Sequence, residues 1–423
     1  MKIKSKFKQT EIGRIPNEWT IRELDELGEI KTGKGTKKIE IGNFPILGSN
    51  GLLGYTDEFL EDEDLIFTGR VGTIGKINYQ KKQKVWLSDN VLYFKTKKIE
   101  LLKYVYYFLR NVDFSYLNVG STQPLVKQSD FKKIKIAIPE EHEIAPITKI
   151  LSNLDSKIEL NQRINENIDQ IVYAVFKHWF VDFEFPDAHD KPYKSSGGEM
   201  IHSEFGDMPK GWFLKAFGQV ADMRRGFSYS GSEKTNMNGD YVFVTLNNIV
   251  EGGGFKPEFS WITSDRLKEH HFLSEMDLII ANTHFGVGGS NVARLLGCPA
   301  LVFFPHNYTK GTGIFSHHIT KIISFNSDMK YFLYLFLKLT HKETASVYRT
   351  GTSVAGLDVN NFMKKCFVVE PPKSILEKFN SIVKPLFIKF ALNYKEITVL
   401  THLRDSLLPK LMSGKIRVPA QVN

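Results

Sequence analysis

The chain has 423 residues, of which 42% are hydrophobic and 24% are charged. This length is enough for two or three domains with cores of their own, and the composition excludes wholesale disorder. Lys and Arg outnumber Asp and Glu by 56 to 47, an excess that is compatible with a polyanionic partner but does not identify one.

The cysteines and the apolar segments indicate the compartment in which the protein is expected. Cys298 and Cys366 stand in no metal-binding or disulfide pattern, which argues against a zinc site and a disulfide framework and indicates a reducing compartment. The N-terminal residues lack the apolar core of a signal peptide, and the most apolar window, residues 331–339, is too short to cross a bilayer. We therefore expect a cytoplasmic protein with no membrane role.

The first globular segment, residues 1–140, begins with the motif EIGRIPNEW, which ends at Trp19. Short apolar runs such as LIFTG from Leu65 follow, separated by glycine-rich turns, and this pattern is typical of a β-rich mixed fold. The segment closes on GSTQPLVKQSDFKKIKIAIP, residues 120–139.

A long amphipathic helix is predicted over residues 141–182. Its apolar residues and two asparagines recur at alternating steps of three and four, which is the heptad pattern of a coiled coil. We call these the seam positions of the helix: Ile144, Ile147, Leu151, Leu154, Ile158, Asn161, Asn165, Ile168, Val172, Val175 and Trp179.

Residues 183–203 are rich in Pro, Gly, Ser and Asp, which predicts a linker. The second globular segment, residues 204–371, repeats the motifs of the first. EFGDMPKGW ends at Trp212, 193 residues after Trp19, and Gly226 corresponds to Gly33 at the same offset. GTSVAGLDVNNFMKKCFVVE from Gly351 corresponds to the motif from Gly120 at an offset of 231. The second segment therefore carries 38 extra residues between its motifs, in the part of a repeat that varies most freely.

A second long helix is predicted over residues 372–414, followed by a C-terminal tail, residues 415–423. We expect Pro385 and Pro409 to bend or break this helix. Adding 232 to the seam positions of the first helix gives its seam positions: Leu376, Phe379, Val383, Leu386, Phe390, Asn393, Ile397, Leu400, Arg404, Leu407 and Leu411.

These elements predict an α+β fold with an internal repeat. Two globular β-rich mixed domains are separated by two long antiparallel coiled-coil helices related by a pseudo-two-fold. A helix of about 38 residues is about 57 Å long, so we predict that the helix pair acts as a ruler. Asn161 and Asn393 share one seam position, and two interpretations remain open: a buried pair that sets helix register, or two side chains at a solvated edge.

None of the motifs for catalysis is complete. The glycine-rich GRVGTIGKINY around Lys76 lacks the spacing of a phosphate-binding loop, and Ile77 stands where Ser or Thr would coordinate magnesium. The pairs at residues 270–271 and 317–318 are histidines without a carboxylate at metal-ligand spacing, so we interpret them as surface or loop histidines. We expect a chain with no catalytic residues, metal or cofactor of its own.

Base recognition requires side-chain donors and acceptors on loops or a helix, together with cations for the phosphates. Both globular segments supply such residues at corresponding places, and as a set they are the predicted DNA-binding residues. In the first segment they are Lys31, Lys34, Lys37, Lys38, Arg70, Lys76, Ser121, Thr122 and Gln123. In the second they are Arg224, Arg225, Tyr229, Lys234, Asn247, Asn248, His284, Asn291, Arg294, Arg349, Thr350, Thr352 and Ser353.

The motifs at the ends of the globular segments and of the long helices resemble those of a known family. Two variable segments, each begun by an IG-x-IP-x-x-W-like motif and closed by a long helix, are joined through FKHWFVDFEFP and KPYKSSGGEM and end in LLPKLMSGKIRV. This arrangement resembles the specificity (S) subunit of type I restriction-modification enzymes over essentially the whole chain. One departure is EFGDMPKGW, which has Phe and Met where Leu and Ile are more usual, and both replacements remain apolar.

The resemblance implies two target-recognition domains that each read half of a split site in double-stranded DNA. It implies that the long helices, from about residues 141 to 181 and 373 to 413, also dock two methyltransferase (M) subunits, and that restriction/translocase (R) subunits join them. S-adenosylmethionine, ATP and Mg would belong to those partners. The assembled complex would then be an adenine-specific DNA methyltransferase and an ATP-dependent endonuclease.

Two alternatives stay open at this point. The chain is also compatible with a stand-alone tandem nucleic-acid-binding protein that dimerises through its helices. From a different class, FPDAHDK from Phe185 offers Asp187 and Asp190 as carboxylates of a Mg-dependent nuclease, although both lie in the predicted linker.

Overall fold

The computed structural model describes residues 6–35, 38, 42–120, 124–203, 206–235, 239–256, 258–285, 294–351 and 354–418. The chain forms two compact units whose boundaries fall within the long helices. Unit 1 comprises Met1–Ile158 and Leu400–Asn423, and unit 2 comprises Glu159–Val399. Each unit therefore combines one globular segment with parts of both long helices.

Before the first long helix, the described residues of unit 1 form eleven strands and three short helices. The strands are β1 (Phe7–Thr10), β2 (Gly13–Pro16), β3 (Thr20–Glu23), β4 (Glu29–Thr32), β5 (Phe44–Gly48), β6 (Gly51–Thr56), β7 (Leu65–Gly69), β8 (Asn78–Gln80), β9 (Trp86–Leu87), β10 (Val91–Lys95) and β11 (Lys135–Ile138). The helices are α1 (Leu24–Leu27), α2 (Ile99–Arg110) and α3 (Gln128–Lys132). They form a four-stranded sheet in the order β4-β10-β7-β8, a three-stranded sheet β6-β5-β9, a hairpin β1-β2 and a pair β11-β3.

The four-stranded sheet of unit 1 lies in the core of the first globular segment. Strand β7 is buried along its whole length, which explains why its sequence is a continuous apolar run rather than an alternating one. Helix α2 buries one apolar face in the same core, including Leu102, Val105 and Leu109, as expected for an amphipathic helix on a sheet.

Helix α4 (Glu141–Phe180) follows β11 directly. Its first residues belong to unit 1, where Ile144, Ile147 and Leu151 join the core. Its remainder belongs to unit 2, where Ile168, Val172 and Trp179 are among its core residues.

Between the long helices, the part of unit 2 that the structure describes forms sixteen strands and three shorter helices. The strands are β12 (Met200–Ser203), β13 (Gly206–Pro209), β14 (Phe213–Ala216), β15 (Ala221–Arg225), β16 (Lys234–Thr235), β17 (Tyr241–Val244), β18 (Ser260–Ile262), β19 (Phe272–Ser274), β20 (Leu278–Ala281), β21 (Thr283–Phe285), β22 (Pro299–Leu301), β23 (Thr312–Phe315), β24 (Ile319–Ser324), β25 (Arg349–Thr350), β26 (Val354–Leu357) and β27 (Phe367–Glu370). The helices are α5 (Phe217–Val220), α6 (Lys330–Val347) and α7 (Val359–Lys365). A four-stranded sheet β15-β24-β20-β22 and a five-stranded sheet β16-β18-β17-β23-β19 form most of the unit.

Helix α8 (Lys373–Met412) completes both units. It runs antiparallel to α4 within each of them, because early residues of one helix contact late residues of the other. In unit 2, Phe176 of α4 packs on Phe379 of α8, and Asn165 bonds to Asn393. In unit 1, Asp155 of α4 accepts a hydrogen bond from Arg404 of α8. No seam side chain of either helix is exposed, and all of them lie within the described residues.

Of the two outcomes predicted for Pro385 and Pro409, a bend or a break, the break does not occur, since α8 is continuous from Lys373 to Met412. A proline inside a helix costs about 3 kcal/mol or more. Burying a large apolar side chain contributes about 1.5–3 kcal/mol, and the helix buries Phe387 in unit 2 and Leu408 in unit 1 near the two prolines. Packing on both sides of each proline therefore offsets the missing hydrogen bonds.

The two units repeat the same elements at the offsets found in the sequence. The hairpin β1-β2 corresponds to β12-β13, and the pair β3-β11 corresponds to β14-β27, residue for residue in register. The four-stranded sheets match in strand order as well. The extra residues of unit 2 belong to its larger second sheet, which stands where unit 1 has three strands.

The segment 183–203 differs from the linker predicted for it. Phe185 is buried and stacks on Trp212 with ring centroids 4.9 Å apart. The ring of Tyr193 also stacks on Phe185, with centroids 4.6 Å apart. The segment then enters strand β12. A linker was predicted because the segment is rich in turn-forming residues. Its aromatic side chains nevertheless pack into unit 2.

Within the described residues, every helix is too short or too polar to cross a lipid bilayer.

Candidate nucleic-acid interface

In unit 1, the turns that follow β4 and β7 are held on one segment, residues 88–91. The N–H of Gly33 donates to the carbonyl of Val91 at 2.9 Å, and the N–H of Arg70 donates to the carbonyl of Asn90 at 2.8 Å. A Cβ on Gly33 would lie 2.1 Å from the carbonyl oxygen of Ser88. Only glycine permits this approach, and it places the backbone of the following Lys34 beside the same segment.

The motif that closes the first globular segment contacts the turn that follows β7. The N–H of Gly72 donates to the carbonyl of Pro124, and the N–H of Val126 donates to the carbonyl of Arg70, both at 2.9 Å. Asn118 closes the loop by accepting the N–H groups of Gly120 and Leu125 at 3.0 Å. The fold thus brings Arg70 next to Val126, whereas Ser121, Thr122 and Gln123 lie outside the described residues.

The cations predicted for unit 1 are mostly solvent-exposed. Lys34, Lys38 and Lys76 are exposed, and Lys31 forms an exposed ion pair with Glu29 at 2.8 Å. Lys37 lies outside the described residues. The guanidinium of Arg70 differs from them, because its Nε is buried and has no acceptor among the described residues. A buried donor of this kind favours an acceptor from a bound molecule.

Unit 2 repeats the glycine turn with different side chains. Arg224 and Arg225 end strand β15 and are exposed, and Arg224 donates to Asp222 at 3.0 Å. The N–H of Gly226 donates to the carbonyl of Ile319, as that of Gly33 does to Val91. A Cβ on Gly226 would lie 2.4 Å from the carbonyl oxygen of Phe315. The same close approach therefore requires glycine in both units.

A polar cluster lies beneath Arg225. Its Nε donates to the carbonyl of His317 at 3.0 Å, and the amide of Asn282 donates to the same carbonyl at 3.1 Å. The hydroxyl of Thr283 and Nδ1 of His318 are 2.8 Å apart. Burial lowers the pKa of His318 to about 4, with smaller contributions from His317 and Arg225. The imidazole is therefore neutral at pH 7 and able both to donate and to accept a hydrogen bond.

The closing motif of the second segment also joins its cluster. Strand β26 lies between β21 and β25, so that Thr283 and Thr350 flank Gly356 on opposite sides. Thr350 is exposed and donates to the carbonyl of Gly356 at 3.2 Å. The residues Asn291, Thr352 and Ser353 and the side chain of His284 lie outside what the structure describes.

The remaining predicted residues of unit 2 divide into surface and interior. Asn247 and Arg294 are exposed, whereas Lys234 on β16 and Tyr229 are half-buried. Asn248 is buried, and this corrects its assignment. Its amide donates to the carbonyls of Lys256 and Glu258, and its oxygen accepts the N–H of Thr245. Both amide hydrogens hold a loop, so the side chain has no donor left for a base.

The sequence analysis did not place His317, His318 and Asn282 with Arg225. The two histidines do lie in a turn, as interpreted, and this turn directly precedes β24 and contacts Arg225. Their counterparts in unit 1 are Asp89 and Asn90, which directly precede β10. Alignment of those two strands was the signal that could have identified them.

The two asparagines at the shared seam position are buried. Asn161 and Asn393 are both 0% exposed, so the solvated-edge interpretation is wrong. Asn161 donates to Glu396 at 2.8 Å, and Asn393 donates to Asn165 at 2.9 Å. Both hydrogen bonds connect α4 with α8. Asn161 and Asn393 do not bond to each other, because each bonds to a different residue of the opposite helix.

The carboxylates of the nuclease alternative are structural. Asp187 accepts the N–H groups of His189 and Lys191, and these backbone hydrogen bonds lower its pKa. Asp190 forms an ion pair with Lys378 at 3.1 Å. Among the described residues, no group of His, Cys, Asp and Glu side chains is arranged to hold a metal ion.

Comparison with known proteins agrees with this architecture. Residues 16–170 match the family model described as the type I restriction modification DNA specificity domain. The chain is 28% identical to the type I restriction enzyme MjaIX specificity subunit of Methanocaldococcus jannaschii, over 98% of this chain and 97% of that protein. It is 25% identical to the HindI specificity subunit of Haemophilus influenzae, over 70% of this chain and 72% of the relative.

A solved structure shows the same fold. The type I restriction-modification S subunit from M. genitalium superposes with a TM-score of 0.58 at 18% identity, covering 96% of this chain and 98% of the other. The resemblance to specificity subunits of type I restriction-modification enzymes, drawn from the sequence, is thereby confirmed. The predicted role of the chain in DNA target recognition is likewise confirmed.

Proposed function

We propose that units 1 and 2 each read one half of a split double-stranded DNA site. The observation that supports this most strongly is that both units contain the same backbone arrangement with different side chains. This arrangement consists of the glycine turn at Gly33 or Gly226 and the residues just before β10 or β24. Lys34 in unit 1 corresponds to Phe227 in unit 2, and Asp89 and Asn90 correspond to His317 and His318. Since base identity is read by side-chain donors, acceptors and apolar groups, a shared frame with different side chains would read two different half-sites.

The long helices offer a surface for partner subunits. On the part of α8 in unit 2, Ile388 and Leu392 are exposed, and on the part of α4 in the same unit, Leu160 and Ile171 are exposed. Large exposed apolar side chains on a helix are typical of protein interfaces. We assign this surface to methyltransferase subunits, two per chain because the chain is repeated, with restriction/translocase subunits joining the complex.

In this proposal the chain itself supplies recognition and no reaction. S-adenosylmethionine would be bound by the methyltransferase subunits, and ATP and Mg would be used by the restriction subunits. The assembled complex would methylate an adenine in its target and cleave DNA that lacks the modification. The setting would be the cytoplasm, where the DNA of the cell is accessible.

The test begins with coexpression of the chain and a type I methyltransferase subunit, followed by methylation-aware sequencing of the host DNA. A split methylated motif that appears only when both proteins are present is the expected result. The variants Arg70→Ala and Arg225→Ala should then each relax recognition of a different half of that motif. A motif that is lost as a whole with either variant, or stable DNA reading without any methyltransferase subunit, would favour a stand-alone nucleic-acid-binding protein instead.

A further inference from the structure

The hairpin β5-β6 of unit 1 presents large apolar side chains to solvent. Leu52 is 56% exposed, Leu53 is 45% exposed, and Tyr55 is also exposed. Three adjacent or alternate residues of one strand thus lie on the surface, although the partner strand β5 buries Ile46. Folding alone does not account for leucines in these positions, because their burial would have been favourable.

A β-bulge produces this exposure. The strand register pairs Leu47 with Leu52 and Ile46 with Gly54, so that Leu53 has no partner on β5. An extra residue of this kind interrupts the alternation of side chains and redirects them, and such bulges are frequent next to functional sites. Gly54 follows the bulge with φ of 153°, a value that side chains rarely tolerate. The local backbone therefore keeps both leucines at the surface, with the side chain of Leu53 lying over Gly48 of β5.

The hairpin is attached to the DNA-binding residues of unit 1. The hydroxyl of Ser49, in the hairpin turn, donates to the carbonyl of Asn90 at 3.2 Å, and the N–H of Arg70 donates to the same carbonyl. The N–H of Ser88 donates to the carbonyl of Leu47 at 2.9 Å. One short segment thus carries both the hairpin and the turns after β4 and β7.

The charges around the hairpin are those expected beside DNA. The stem of Lys38 runs along Gly54, since a Cβ there would lie 3.6 Å from Cδ of that lysine. Lys84 lies 4.7 Å from the ring centroid of the exposed Phe59. Lys38 thus lies against the hairpin itself, and Lys34 and Arg70 are held by the neighbouring residues 87–90. A polyanion that presents apolar groups fits this arrangement better than another apolar protein surface does.

We propose that the β5-β6 hairpin is a base-reading element of unit 1, in which Leu52 and Leu53 contact the C5-methyl groups of thymine in the major groove. The inference rests on the proposed function and identifies residues of its first reading site. The major groove admits a two-stranded β-ribbon, and thymine is the base that shows a methyl group there. The cations beside the ribbon bind the flanking phosphates.

The experiment compares thymine with uracil, which lacks only that methyl group. It uses the full chain assembled with its methyltransferase subunits and a duplex that contains the split site. The half-site of unit 1 is the one whose recognition changes in Arg70→Ala. Each thymine in it is replaced by uracil in turn, and affinities are measured by fluorescence anisotropy. We expect at least one replacement to weaken binding about fourfold, the value of one buried methylene-sized group.

The variant Leu52→Ser/Leu53→Ser should bind the thymine duplex correspondingly more weakly and should no longer distinguish thymine from uracil at that position. Leu53→Met, which keeps an apolar contact, should retain the distinction. Ile12→Ser is a matched control, because Ile12 is an exposed apolar residue in the turn of a different hairpin of the same unit, and it should behave as the wild type. The half-site of unit 2 serves as an internal control in every measurement.

Several results would overturn the inference. One is a unit 1 half-site without thymine, and another is a serine variant that still distinguishes thymine from uracil. A variant that keeps this distinction but loses its methyltransferase subunits would show that the hairpin binds protein. The uracil series on the wild type needs no mutation, so a serine variant that folds poorly leaves the test decisive. If the wild-type complex has no sequence preference at all, the proposed function itself fails, which is distinguishable from failure of the hairpin alone.

Discussion

Trp19 donates a hydrogen bond from its indole N–H to the buried carboxylate of Glu143 at 2.8 Å, and Arg417 donates to the other oxygen of that carboxylate at 2.6 Å. In unit 1, the opening motif, the start of α4 and the C-terminal segment therefore meet at one carboxylate. The corresponding joint of unit 2 is aromatic, because Trp212 packs between Phe183 and Phe185. Equivalent positions of the repeat thus use an ion pair in one unit and packed aromatic rings in the other.

Arg417→Ala should destabilise unit 1, since it leaves Glu143 buried without its cation. Removal of one partner from a buried pair costs about 3–5 kcal/mol, and the partial exposure of Arg417 reduces our expectation to about 1–3 kcal/mol. Chemical denaturation followed by circular dichroism measures the loss. Lys415→Ala, two residues away and exposed, is the control. Equal stability of the two variants would contradict a role for the ion pair.

The hydrogen bond between Asn165 and Asn393 should behave as a coupled pair. Asn393→Leu leaves a buried amide oxygen of Asn165 without its donor, and we expect a loss of about 1–3 kcal/mol of unfolding free energy. The double variant Asn165→Leu/Asn393→Leu should recover much of that loss, because both polar partners are then replaced. A double-mutant cycle in urea measures the coupling. Additive losses would show that the two asparagines act independently.

Arg70→Ala and Arg225→Ala should weaken DNA binding and lower its salt dependence. If either side chain neutralises one phosphate, the slope of log affinity against log salt concentration should decrease in magnitude by about one. Affinities of the assembled complex at a series of salt concentrations provide the measurement. Lys389→Ala removes an exposed cation of α8 and should leave the slope unchanged. A lower affinity with an unchanged slope would show that the arginine does not neutralise a phosphate.

Unit 2 should lose stability as the pH falls from 7 to 5. The folded-state pKa of His318 is about 4, below the usual value of 6.5, so the unfolded chain binds the proton first and acid favours unfolding. The group contributes nothing above pH 7, and its destabilising effect grows between about pH 6.5 and pH 4. With a discount for solvent screening we expect about 1 kcal/mol by pH 5.

His318→Asn should flatten this pH dependence, which thermal unfolding at several pH values would measure. His317 and Arg225 face the same imidazole, and both remain in the variant. His189→Asn is the control, because His189 is exposed in a turn. A variant that retains the full slope between pH 7 and pH 5 would show that other groups cause it.

Insertion of one heptad into each long helix should lengthen the unspecified gap of the DNA target. Seven residues add about 10.5 Å of helix, which corresponds to about three base pairs at 3.4 Å each. The seam patterns are preserved by whole heptads, so both half-sites should remain readable. Methylation-aware sequencing with the variant measures the new gap. A variant with heptads in only one helix should lose stability, and an unchanged gap in the double insertion would contradict the ruler prediction.

The periodic features of the chain were predictable from its sequence. The seam positions of α4 and α8, the glycine turns at Gly33 and Gly226 and the repeated motifs around Trp19 and Trp212 all follow from spacing, because helical packing and close backbone approach restrict which residues a position accepts. The prolines of α8 and the aromatic side chains of residues 183–198 were misjudged for the opposite reason. Local preference favoured a break and a linker, and burial against distant residues outweighed it.

The sequence by itself determined the repeat, the two long helices and the family resemblance, since these depend on patterns that recur along the chain. Only the tertiary structure decided which polar residues lie together. Asn248 proved to hold a loop, His317 and His318 proved to lie beneath Arg225, and the bulge at Leu53 became visible only in strand register. Loop side chains are brought together by strands far apart in sequence, and no local spacing records such a neighbourhood.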